Sequence, residues 1–150
     1  FKYLNMVKNI SFVAVVAFIV FAFSDNSKKQ VIFAKNAPAP IGPYSQGIKT
    51  GGILFISGQI ALKPDGTIDT SNVENECKQS LENIKAIVEA AGKKMSDITK
   101  STIYTTDLTK FSRINEVYKN YFMCDPPARE TIQVSALPKG AHIEISAIAY

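Results

Sequence analysis

One histidine, two cysteines and two arginines are scattered through 150 residues, and each scarcity removes a class of function. Cys77 and Cys124 are too few for a disulfide framework, and their spacing matches no zinc pattern. Cys77 falls on the apolar side of a predicted helix, where a thiol serves as a small core residue. His142, without clustered cysteines, leaves nothing from which to build a transition-metal site. Glycine-rich phosphate loops are also missing: "TGG" at 50–52 reads as a turn between strands, and nothing resembles a P-loop or a dinucleotide fingerprint. No metal and no cofactor is expected.

Arginine is the most telling scarcity. Fifteen lysines carry most of the positive charge, so the two arginines are not there for solubility. Only arginine presents a planar fork that grips a carboxylate or phosphate through two parallel hydrogen bonds. Arg113 lies among polar helix residues and reads as a solvated side chain. Arg129, in "PPARET" at 126–131, follows a rigid double proline and reads as placed.

The formal charge of +4 is not spread evenly. Residues 1–35 hold five lysines and one aspartate, whereas residues 36–150 hold twelve basic and twelve acidic side chains. The folded part thus has no net field to draw in a nucleic acid, and no nucleic-acid partner is expected. Residues 1–30 read as a leader. Met6 offers a start, a lysine follows, and the apolar run 10–23 is fourteen residues long, broken only by Ser11. That is short of the roughly 20 residues a membrane-spanning helix needs. Ala22 and Ser24 supply small residues for cleavage before Asp25, so a signal peptide for the secretory route is expected, including organelles reached through it. Left uncleaved it would anchor the chain to a membrane; as an artefact of gene modelling it would leave the protein cytoplasmic.

Residues 31–150 are long enough for one domain with a real core. "VIFA" predicts a short strand, and the prolines and glycines of "NAPAPIGPYSQG" force an extended, turning loop. "GIKTGGILFISGQI" reads as a hairpin. Ser71 and Glu74 form a capping box, after which Val73, Cys77, Leu81, Ile84, Val88 and Ala91 recur at helical spacing until Gly92. "DITKSTIYTTDL" is a strand, a second helix is expected over 110–122, and Asp125-Pro126-Pro127 stops it. "RETIQVSA" and "HIEISAIAY" are final strands joined by the turn "LPKG". The order β-β-β-α-β-α-β-β predicts an α+β fold, a mixed sheet with both helices on one face. The other face is left bare and half apolar, which predicts an oligomer packed sheet to sheet.

Strand alternation puts Arg129, Thr131 and Gln133 on one face, with Glu130, Ile132 and Val134 on the other; His142, Glu144 and Ser146 share a face. Taken as a hairpin, "SALPKGA" brings Arg129 and Glu144 to the same end of the sheet. By themselves the residues fit a surface salt bridge, worth ~0–1 kcal/mol, as well as a functional pair. His142 reads as a half-exposed side chain rather than a general base, and Tyr44 as either a packing or a functional residue. Glu144, flanked by Ile143 and Ile145, sits where desolvation would raise its proton affinity for acid–base work.

"APIGPYSQG", "LFISGQI", "SLENIKAIVEAAG", "FSRINEVYKNYF" and "PPARETIQVSALPKGAHIEISAIA" resemble, collinearly, the RidA (YjgF) family of enamine/imine deaminases. The resemblance implies a chorismate-mutase-like fold assembled as a homotrimer, with clefts at the subunit interfaces drawing residues from two copies. It implies a 2-iminobutanoate/2-iminopropanoate deaminase that hydrolyses reactive enamines such as 2-aminoacrylate, through the imine, to 2-keto acids and ammonia. Position by position, Arg129 matches the arginine that binds the substrate carboxylate, Tyr44 the loop tyrosine, Gly58 the "SGQ" glycine, Asn115 the asparagine of the second helix, and Glu144 the glutamate of the catalytic water. Thr131, counted with the substrate-binding residues, stands where several bacterial members have cysteine, and Ser146 where many have a second acid. The leader is a third departure. Two alternatives from other classes are a single-strand endoribonuclease and a non-catalytic ligand-binding or chaperone-like trimer using the same cleft.

Overall fold

A computed structural model describes residues 28–150. The expected signal segment, including its apolar run 10–23, lies outside the described residues. Among the described residues no helix is long and apolar enough to cross a membrane.

Three strands open the domain: β1 (Gln30–Ile32), β2 (Gly47–Thr50) and β3 (Ile53–Gln59). Helix α1 (Val73–Ala90) leads to β4 (Ile98–Thr105), and α2 (Phe111–Tyr118) to β5 (Ala128–Gln133) and finally β6 (Ile143–Ala149). Short 3₁₀ turns at Met95–Asp97, Leu108–Lys110 and Pro138–Gly140 fill the connections. The predicted order of strands and helices is the observed one. The strands form one six-stranded sheet in the order β1-β2-β3-β6-β4-β5, antiparallel except for the parallel pair β4–β5.

That order corrects the expected final hairpin. "LPKG" does turn the chain, with Pro138 starting a 3₁₀ turn and Lys139 and Gly140 both at positive φ. Yet β6 does not return beside β5; it inserts between β3 and β4. A parallel β4–β5 pair requires a crossover, which α2 supplies, and β6 then takes the other flank of β4.

The helix α1 forms for the reasons the spacing gives: Cys77, Leu81, Ile84, Ile87 and Val88 are all buried. They pack on Leu54, Ile103, Ile143 and Ile145, the inward residues of β3, β4 and β6. Its start lies one residue later than the Ser71 capping box predicts. Asn72 is the N-cap, its side-chain oxygen accepting from the Asn75 N–H at 2.9 Å. Gly92, at φ 74°, ends the helix in the left-handed conformation. Helix α2 is shorter than the 110–122 stretch expected, although Ile114, Tyr118 and Phe122 are buried along its stripe as predicted.

Both helices pack on one face. The opposite face presents Val31 at 61%, Phe55 at 45% and Ile132 at 42% exposure, apolar side chains left uncovered among the described residues. As a test of the helix start, Asn72→Ala should cost about 1 kcal/mol of stability, and Ser71→Ala far less. Urea unfolding of both variants checks this; equal losses would contradict the cap.

Candidate active site

The matched residues fall into two clusters. The first is built on β3 and β6. Ile56 pairs with Ala147 and Gln59 with Ile145, so Ser57 and Gly58 together oppose Ser146: a β-bulge. Gly58 thereby comes to face Glu144. A Cβ at residue 58 would lie 1.9 Å from Glu144 Oε1 and 2.7 Å from its carboxyl carbon, so the carboxylate occupies the space a side chain would need. A larger residue at 58 would have to displace the Glu144 carboxylate from this position.

Tyr44 reaches this carboxylate's cavity from the proline-rich loop. The loop owes its shape to Gln46, a buried amide inside it. Gln46 Oε1 accepts from the Ala34 N–H at 2.7 Å, while Nε2 donates to the carbonyls of Ala34 at 3.1 Å and Pro38 at 2.8 Å. Ser57 Oγ donates to the Ser45 carbonyl at 2.6 Å, tying the loop to the bulge. The Tyr44 hydroxyl accepts from the Ile41 N–H at 3.2 Å. The result is a cavity of about 250 Å³ lined by Ile41, Tyr44, Ser57, Gly58, Ile60, Pro138 and Glu144.

The Glu144 carboxylate makes no hydrogen bond or ion pair among the described residues. Burial raises its carboxyl above the ordinary 4.5, the direction expected, although Ile143 and Ile145 point to the helix face and the walls are those of the cavity.

The second cluster lies on β5 and α2. Arg129 is level with Ser101 of β4, a buried residue on the helix side of the sheet. Its guanidinium carbon is 4.8 Å from the Tyr118 ring centre and 5.6 Å from that of Phe111. Cation–π contact of this kind holds the fork without occupying its donors. The Tyr118 hydroxyl shares a 2.7 Å hydrogen bond with Ser101 Oγ, which fixes the ring under the guanidinium. Phe111, Asn115 and Tyr118 follow at helical spacing on one stripe of α2, so Asn115 stands between the two rings. Its Oδ1 is buried without a hydrogen-bond partner among the described residues, as is Ser80 Oγ on α1. Thr131, aligned with Ile103, shares the face of Arg129.

The expectation that Arg129 and Glu144 meet at one end of the sheet is therefore wrong within one chain. Glu144 is level with Tyr104 and Ile132 on the bare face; Arg129 is level with Ser101 and Ala147 on the helix face. One strand and the thickness of the sheet separate them. Arg113 is exposed, as read, and pairs at the surface: two of its nitrogens grip the Glu74 carboxylate. One arginine fork is taken, and the other has no acid partner among the described residues.

Several contributors escaped the sequence reading. Phe111, Ile41, Ile60 and Pro138 are ordinary apolar residues with no chemical signature. Glu76 left a signal, since a carboxylate on the core stripe of α1 needs a partner; that partner is His142, which was read as merely half exposed. A hollow of about 310 Å³ between the starts of α1 and α2 includes His142 and Arg113 but none of the family-matched residues. Among the described residues no group of three or more His, Cys, Asp or Glu could hold a metal ion.

Comparison with known proteins agrees with this architecture. The Endoribonuclease L-PSP family profile matches residues 34–150, and the chain belongs to that family, the RidA/YjgF proteins. A RutC family protein of Pyrococcus horikoshii is 53% identical over 123 residues, 81% of this chain and 98% of that one. Reactive Intermediate Deaminase A, chloroplastic, of Arabidopsis thaliana is 44% identical over 123 residues, 81% of this chain and 66% of that protein. The crystal structure of Escherichia coli TdcF with bound serine superposes with a TM-score of 0.77 at 46% identity, covering 80% of this chain and 97% of that one.

Glu144→Gln should stabilise the fold at neutral pH. The raised value means the folded chain holds this proton more tightly than the unfolded chain does. The destabilisation is then absent below the ordinary value of 4.5 and grows as pH rises through the folded value. Thermal unfolding at about pH 3 and about pH 7 should give coincident midpoints in acid and a higher midpoint for the variant at neutrality. A lower midpoint for the variant at neutral pH would contradict this.

Proposed function

We propose that the protein is an enamine/imine deaminase acting on small 2-imino acids, with each site assembled from two copies of the chain. The observation that carries the proposal is the division of labour between the two clusters. One holds an arginine fork with no acid partner among the described residues, beside an amide oxygen likewise unpartnered and a threonine. The other holds a desolvated carboxylate over a glycine, closed by a tyrosine loop. Neither half is a site alone.

Geometry favours joining them between copies. Glu144 lies on the bare apolar face, and Arg129 on β5, an edge strand of the sheet. Packing bare faces together, as in a homotrimer, sets one copy's edge against its neighbour's face. Exposed Phe55 and Ile132 supply the apolar contact.

The chemistry follows. An enamine such as 2-aminoacrylate tautomerises to 2-iminopropanoate, a small anion with a polarised C=N. Arg129 takes its carboxylate bidentately, each charged hydrogen bond contributing roughly 1.5–3 kcal/mol. Asn115 and Thr131 add polar contacts on that side, and Tyr44 closes the other. Glu144 accepts a proton from water as the oxygen attacks the imine carbon. It passes that proton to the imine nitrogen, giving a carbinolamine. It then takes the hydroxyl proton and delivers it to the amine as the C=O bond forms and the C–N bond breaks, releasing ammonia and the 2-keto acid. A carboxyl with raised proton affinity suits both steps. The bound serine in E. coli TdcF is itself a small carboxylate ligand, in keeping with this substrate class.

Coupled to a generator of 2-aminoacrylate, the wild type should speed loss of the imine. Arg129→Lys keeps the charge but loses the fork, and kcat/KM should fall about tenfold or more. Unchanged turnover by that variant would contradict the carboxylate role. RNA cleavage with a steep salt dependence would favour the family's other name instead; the charge balance of residues 36–150 speaks against it. Ligand binding without turnover would favour the non-catalytic trimer.

A further inference from the structure

Helix α1 buries three polar side chains against the sheet: Glu76, Ser80 and Asn83. Asn83 has an evident task. Its Nδ2 donates to the carbonyls of Ile60 at 3.1 Å and Leu62 at 2.8 Å, fixing a wall of the Glu144 cavity. Glu76 is a wholly buried carboxylate that commits both oxygens to a single residue. The His142 N–H donates to Oε2 at 2.7 Å, and His142 Nδ1 lies 2.7 Å from Oε1. Taking a carboxylate out of water costs several kcal/mol even when it is paired. An apolar side chain would fill the same space with less penalty, and the partner imidazole is itself 54% exposed. Stability is a poor reason for this pair.

The place of His142 in the chain gives a better one. Its carbonyl accepts from the Thr106 N–H at 3.1 Å, so the residue is clasped by α1 on one side and by the end of β4 on the other. Two residues later comes Glu144, whose carboxylate has no hydrogen bond of its own among the described residues. The position of that carboxylate over Gly58 is thus set by the backbone that leads to it.

We propose that Glu76 and His142 are positioning residues for the reaction: their paired bonds lock the start of β6, so that Glu144 meets water over Gly58 at a fixed point. The proposal rests on the deaminase reading. Other charged groups beside His142 do not duplicate the clasp. Arg113 is held by Glu74, and Lys110 leans toward Asp107 at 3.8 Å. Together with Asn83, the pair lets α1 fix both walls of the cavity from behind.

The test compares Glu76→Gln, His142→Ala and His142→Asn in the full chain. Asparagine places an amide N–H near the position of Nδ1, so His142→Asn restores the bond that His142→Ala removes. In Glu76→Gln and His142→Ala, kcat should fall roughly tenfold or more, since small misplacements of a catalytic group are costly. KM should stay within about twofold, because the Arg129 grip is untouched. His142→Asn should recover most of the rate. Carbon-13 NMR of the Glu144 carboxyl gives a readout independent of turnover: its titration midpoint should drop toward the ordinary value in the first two variants and hold in the third. A pair with a merely structural role would lower melting temperatures without separating His142→Asn from His142→Ala or moving that midpoint. Such a result, or a raised KM at unchanged kcat, overturns the proposal. A wild type without imine hydrolysis would refute the deaminase reading, and the Glu144 titration would still decide the positioning role. Should Glu76→Gln fail to fold, the two His142 variants, which keep the backbone bond to Glu76, carry the comparison.

Discussion

Side chains on a strand alternate between two faces, and that alternation keeps Arg129 and Glu144 apart in a single chain. Ser101, Ile103 and Thr105 of β4 point toward the helices and carry Arg129 and Thr131 of β5 with them by register. Tyr104 points the other way and takes Glu144 and Ile132 with it. No rotamer change crosses a sheet. In the proposed reaction the cation and the base around one small anion would come from two copies, and the bare apolar face is the surface on which we propose the copies meet.

The same division accounts for where the fold tolerates poor local energetics. The core of α1, β3, β4 and β6 is filled with isoleucine, leucine and valine. Against that background stand a half-buried Glu144, a wholly buried Glu76 and, among the described residues, an Asn115 oxygen with no partner and an arginine with no acid. Each is a local fault when judged by stability alone. In the proposed reading each belongs to one of the two half-sites or to the scaffold behind one of them.

Much of this was legible in the sequence, for physical reasons that differ from residue to residue. The 3- and 4-residue recurrence from Val73 to Ala91 reports burial of one helix face, and it located α1 directly. Arg129 stood out because a lysine-rich chain kept a fork there. Gly58 and Asn115 were reached only through family resemblance; their reasons, the space filled by the Glu144 carboxylate and the stripe between two rings, exist only in three dimensions. The cap at Asn72 rather than Ser71 was a one-residue ambiguity between neighbours able to make the same bond. The pairing of the last strands was misread because "LPKG" is a local turn signal, whereas the β4–β5 and β4–β6 pairings are decided by contacts remote in sequence. Glu76, a charge beside the core stripe, was passed over, and nothing local pointed to His142, 66 positions away.

Subunit complementation tests the two-copy site most directly. Arg129→Ala and Glu144→Ala chains, each inactive as a pure assembly, are unfolded together in equal amounts and allowed to reassemble. If each site takes its arginine from one copy and its carboxylate from the next, about a quarter of the sites pair two intact halves by chance, and imine hydrolysis returns to that fraction of wild type. A mixed assembly as inactive as its parents would mean that both groups serve from a single chain, and the account would fail.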